Sequence, residues 1–105
     1  MDNEYLVEHY DDHAVVILPE RVFIPNSRGF KETMQSLYEQ GYSHIVLDCK
    51  QLRTFDTAAI SSVAVYQKKL KERGGKLKII NVADDYIKHL FRSIELFKIV
   101  SIQEV

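Results

Sequence analysis

The segment "RTFDTAAISSV", Arg53 to Val63, sets an acid and several hydroxyls where an apolar run gives way to small residues. Asp56 is followed by Thr57, Ala58 and Ala59, then by Ser61 and Ser62. The order predicts a helix that starts at this corner. Free N–H groups at a helix start favour negative charge, so a hydroxyl placed there can carry a phosphate or meet an anion. Thr57, Ser61 and Ser62 are the candidate acceptors. A phosphate would add nearly two negative charges beside Asp56 and repel an acidic partner. Capping by Asp56 or Thr57, worth about 0.5–2 kcal/mol, explains the same residue types without any such role.

Other chemistry is sparse. His9, His13, His44 and His89 lack metal-ligand spacing, and no metal or cofactor is expected. Cys49 ends an apolar run without an adjacent histidine and reads as a structural thiol. Gly74-Gly75 is a helix stop and does not match a phosphate-cradling loop. Asp11-Asp12 and Asp84-Asp85 fit a turn and a cap. "KKLKER" fits a solvated helix face, and Tyr86 to Ile99 a terminal helix packed on a sheet. No catalytic constellation emerges, so the expected protein is not an enzyme.

The elements that position the corner follow from periodicity. "YLVEHY" and "HAVVILP" predict two adjacent strands around Asp11-Asp12. Pro25-Asn26-Ser27 predicts a helix start, capped by Asn26 or Ser27, with Phe30, Met34, Leu37 and Tyr38 on one face up to Gly41. "HIVLDC" predicts a strand buried on both faces. In the second helix Ile60, Val63, Ala64, Gln67 and Leu70 are expected to face the sheet. Ala58, Ser61, Ser62, Val65 and Lys69 are then expected to point away. "KLKIINV" predicts a strand, Asp84 or Asp85 a cap for a third helix with Ile87, Leu90, Phe91 and Ile94, and "KIVSIQEV" a closing strand. The order β-β-α-β-α-β-α-β implies one α/β domain over residues 1–105, with a mixed, mostly parallel sheet and helices packed on it. Strand C-termini then meet helix N-termini at Val22–Ser27 and Phe55–Ser62, where function gathers in such sheets.

Composition narrows the partners. At 105 residues with 46% hydrophobic and 28% charged content, the chain can bury one core unaided. A net charge of −1 argues against nucleic acid or an anionic membrane as direct partners. The single cysteine fits a reducing compartment, and the acidic N-terminus lacks signal-peptide order, so a cytoplasmic protein without membrane insertion is expected. Ala58 and Val65 are apolar groups in a wet stripe beside the apolar "VFIP" run, a pattern that suits docking of a protein partner.

Over nearly its whole length the chain resembles the STAS domain family, the bacterial anti-sigma factor antagonists. "IVLDCKQLRTFDTAAISSV" is similar to the signature strand, connection and Asp-Ser-Ser/Ala-Gly corner. "GGKLKIINVADDYIKHLFRSIELFKIV" is similar to the family's second half. The resemblance implies a module that docks on an anti-sigma factor, often a serine kinase, and is released by phosphorylation at the corner. It places Asp56 on the corner aspartate, Thr57 on the first small hydroxyl position, Ala58 on the usual phosphoacceptor and Ala59 on the following glycine. It also sets Phe23 where an acid is common and Glu95 where glycine is common. The usual acceptor is therefore missing: Thr57, Ser61 or Ser62 substitutes, or docking is constitutive or differently regulated, which is the favoured reading. The expected contact residues are Phe23, Ile24, Asn26, Asp56, Thr57, Ala58, Ala59, Ser61, Ser62 and Val65. A scaffold or transporter-associated member and a small α/β nucleotide-binding enzyme are the other readings, and association into a homodimer is left open beside all of them.

Overall fold

A computed structural model describes residues 5–105; Met1 to Glu4 of the expected domain lie outside them. In chain order the elements are β1 (Leu6–His9), β2 (Ala14–Ile17), β3 (Arg21–Val22), α1 (Ile24–Glu39), β4 (His44–Asp48), β5 (Thr54–Phe55), α2 (Thr57–Glu72), β6 (Lys76–Val82), α3 (Asp85–Ser93), a 3-10 turn (Leu96–Lys98) and β7 (Ser101–Glu104). The main sheet runs β1-β2-β4-β6-β7. Only the β1–β2 pair is antiparallel, so the expected mixed, mostly parallel α/β sheet is the one formed.

Alternation along the strands decides which face is covered. Ala14, Ile45 and Leu77 form one inward row by register; Val16, Leu47, Ile79 and Ile102 form the next. Their β-branched and leucine side chains meet Phe30, Met34 and Leu37 of α1, Val63 and Leu70 of α2, and Ile87 and Phe91 of α3 in one core. The opposite face carries Val15, Ile17, Val46 and Ile80, all only half-buried. The expectation that β4 is buried on both faces is thus overturned: all helices pack on one side, and its Val46 and Asp48 face outward.

The start of α1 also differs. Helical geometry begins at Ile24, with Phe23 as the extended residue before it and Pro25 in the first turn. Proline suits this position, because its missing N–H has no helical partner there. Asn26 therefore lies inside the helix, where its Oδ1 accepts the Phe23 N–H at 2.9 Å. Neither Asn26 nor Ser27 is the cap; Asn26 supplies the returning half of a capping box.

After α3 the chain turns sharply at Glu95, with φ 56° and ψ 39°. A side chain in this left-handed conformation costs about 1–2 kcal/mol. The exposed Glu95–Lys98 pair at 2.8 Å returns little of it. Glu95→Gly is expected to raise stability by ~0.5–1 kcal/mol, after the glycine's extra unfolded-state entropy is subtracted. A urea midpoint that falls in this variant would show that the ion pair outweighs the strain.

Candidate functional site

The corner is built from a two-stranded parallel ribbon that the sequence does not announce. β3 pairs with β5, Arg21 opposite Thr54 and Val22 opposite Phe55. The Asp56 N–H donates to the Val22 carbonyl at 2.9 Å, and the Arg53 N–H to the Glu20 carbonyl at 2.7 Å. These bonds hold the start of α2 beside the start of α1. Phe55 anchors the ribbon from below: its ring stands edge-on to Phe30 at 5.8 Å and to Phe91 at 5.7 Å. Each such pair adds ~0.5–1.5 kcal/mol beyond the area it buries.

Asp56 is the N-cap of α2, its Oδ1 accepting the Ala59 N–H at 2.9 Å. Asp84 does the same for α3, accepting from Ile87 at 3.1 Å. Around the α2 start the expected contact residues separate by exposure. Thr57, Ala58, Ser61 and Val65 are exposed, and so is Ile24, at 83%. Phe23, Asn26 and Asp56 are half-buried. Ala59 and Ser62 are buried, at 0% and 8% exposure. The expectation that Ser62 points away from the sheet is therefore corrected: Ser62 follows Ala59 and precedes Val63 and Tyr66 on the packed stripe of the helix. The reason is that α1 lies along one flank of α2, which widens the buried arc beyond the sheet-facing residues. Ile60 and Gln67 do face the sheet as expected, Ile60 against the core and Gln67 with its Oε1 accepting the Leu77 N–H at 2.8 Å, while Tyr66 extends the buried arc on the α1 side.

A groove of about 430 Å³ runs between α1 and α2. Ala58, Val65 and Tyr66 give it an apolar lining, and Arg28 and Lys31 of α1 stand at its rim. Sequence reasoning did not single out Arg28 and Lys31. Their three-residue spacing, one helix face, was the available signal. Arg28 also reaches Glu32 at 3.2 Å, an exposed pair one turn along. The Tyr66 hydroxyl donates to Gln35 Oε1, tying the two helices together across the groove floor. Burial first, and the Glu39 charge second, raise the Tyr66 pKa, so the phenol stays a donor.

A second crevice, of about 460 Å³, lies at the C-terminal ends of β4 and β6. Glu20, Lys50, Arg53, Asp84 and Asp85 mix both signs of charge there. Cys49 is buried nearby in sequence, and burial followed by the Asp48 charge pushes its thiol far above the ordinary range. Such a thiol is a packing group and not a nucleophile. Among the described residues no three His, Cys, Asp or Glu side chains converge to hold a metal ion. Nor is any described helix long and apolar enough to cross a membrane.

The architecture is shared with solved structures. An anti-sigma factor antagonist candidate from Thermotoga maritima, TM1081, superposes with a TM-score of 0.83 at 18% identity, covering 96% of this chain and 86% of that one. The anti-sigma factor antagonist SpoIIAA in its unphosphorylated form gives 0.82 at 13% identity, over 96% and 87%. The murine anion transporter Slc26a9 contains a similar domain, with a TM-score of 0.62 at 14% identity over 87% of this chain and 15% of the transporter. No curated protein matches the sequence at a significant level. Identities this low speak for the fold alone, but the sequence itself matches the STAS domain over residues 4–105. The chain, with its capped α2 corner and one-sided α/β sheet, belongs to the STAS domain family.

Proposed function

We propose that this chain is a non-catalytic docking module of the anti-sigma factor antagonist type, acting in the cytoplasm on an anti-sigma factor. One observation carries the reading: Ala58 and Val65 expose apolar surface in one groove that begins at the capped corner of α2, and Ile24 is exposed at the start of the neighbouring α1. Apolar anchors beside a shallow groove are the usual core of a regulatory contact. The anti-sigma factor antagonists among its structural neighbours support the same reading. Ala58 carries no hydroxyl, so docking here is constitutive or is controlled through Thr57 or Ser61. A kinase reaching this corner finds both of those at the surface and Ser62 beneath it.

The fold's presence within an anion transporter favours one other reading, a partner subunit of a membrane complex. Affinity capture from host lysate with the tagged chain separates the two. Recovery of an anti-sigma factor is the expected result. Recovery of transporter subunits instead would replace the first reading with the second.

A further inference from the structure

The helices cover one face of the sheet and leave the other open. Register places the outward side chains in rows across the strands. The central row is Glu8 on β1, Val15 on β2, Val46 on β4 and Lys78 on β6. Toward the strand C-termini of β2, β4 and β6 comes the row Leu6, Ile17, Asp48 and Ile80. At the other end His44 lies opposite Lys76, and Tyr10 stacks on His13 with ring centroids 4.7 Å apart. The result is a strip of half-buried Val15, Ile17, Val46 and Ile80 with an acid on one flank and a base on the other. Among the described residues neither Glu8 nor Lys78 has an ion-pair partner in its own chain.

We infer that this open face is a self-docking surface, on which a second copy of the chain packs about a two-fold axis parallel to the strands. The axis runs between β2 and β4 and reverses the order of strands across the contact. Glu8 of each copy then faces Lys78 of the other, and Val15 faces Val46. The same operation sets Leu6 against Ile80, an apolar pair, and Tyr10 against Lys76. Asp48 falls opposite Ile17 at the end of the strip. Its Oδ1 already accepts from the Lys50 N–H at 3.0 Å and the Asn81 side-chain amide at 3.2 Å, so that oxygen enters the contact already hydrogen-bonded. Two aligned sheets pack ~10 Å apart with strands within about 30° of parallel, a gap that a glutamate and a lysine together span. An axis perpendicular to the strands would instead set Glu8 against Glu8, so the charges select the first arrangement.

The contact is small. Four strand spacings by three residue pairs give roughly 400 Å² per copy, below the ~800 Å² of a stable complex. A weak dimer follows, with a dissociation constant on the order of 100 μM. Sedimentation equilibrium of the full chain from about 10 μM to about 1 mM covers that range. Mass is expected to rise toward that of a dimer with concentration. Glu8→Lys alone and Lys78→Glu alone should each weaken association by at least ~10-fold, and the double variant should restore it to within about threefold. Both sites are exposed, and far-UV circular dichroism with thermal melts checks that each variant is folded. A chain that stays monomeric throughout overturns the inference and leaves the face to a different partner. A dimer indifferent to the single reversals, or not restored by the double one, overturns it equally.

Discussion

Gly75→Ala is expected to cost about 3 kcal/mol or more, lowering the melting temperature by upwards of ~10 °C in a domain of this size. A Cβ at Gly75 would sit 1.7 Å from the Ser43 carbonyl oxygen and 2.4 Å from its carbon. Both are backbone atoms, so no side-chain rotation relieves the clash. The strands must part where β6 begins, and the bond from the Lys76 N–H to that same Ser43 oxygen, 2.9 Å long, is lost with them. The neighbouring glycine provides the control. Gly74 has φ +88°, and a methyl group there would meet nothing within 4 Å. Gly74→Ala therefore carries only the left-handed backbone penalty, ~1–2 kcal/mol. Denaturant unfolding of both variants gives the comparison. A Gly75→Ala loss no greater than that of Gly74→Ala would mean that β4 and β6 do not approach so closely at their start.

The second large effect concerns binding. Ala58→Glu should reduce affinity for the captured protein partner by at least ~10-fold, about 1.4 kcal/mol, because a carboxylate would be desolvated against the apolar lining of the groove when the partner seats. Folding should be unharmed. Ala58 is exposed in the first turn of α2, where a negative side chain suits the helix dipole. Glu39→Lys, at the far end of α1, changes charge by more and should leave affinity within about twofold. Titration calorimetry on the purified pair measures both. Equal affinities for the two variants would move the contact away from the α1–α2 groove.

Legibility in the sequence follows the range of the forces involved. The helices are visible because Phe30, Met34 and Leu37, and again Ile87 and Phe91, repeat with a period that local geometry imposes. Asp56 and Asp84 are legible as caps for the same reason, since a cap bonds to an N–H three residues away. The first turn of α1 misleads because Asn26 acts backward on Phe23 and resembles a cap in type. Ser62 misleads because helical spacing states which residues share a face but not how many neighbours a helix has. With α1 beside it, α2 buries Ala59, Ser62 and Tyr66 as well as Val63 and Leu70.

What the sequence by itself determined was the order of the three helices and the five strands of the main sheet, the one-domain α/β class and the corner at Asp56, all read from patterns a few residues long. Tertiary structure alone decided that β3 and β5 pair, so that the starts of α1 and α2 come together and Arg28 and Val65 line one groove from segments about forty residues apart. It also decided that the helices share one face, leaving Glu8, Val46 and Lys78 in a row on the uncovered side. Strand register and layer count depend on pairing between distant segments, and no local spacing encodes which face is left open.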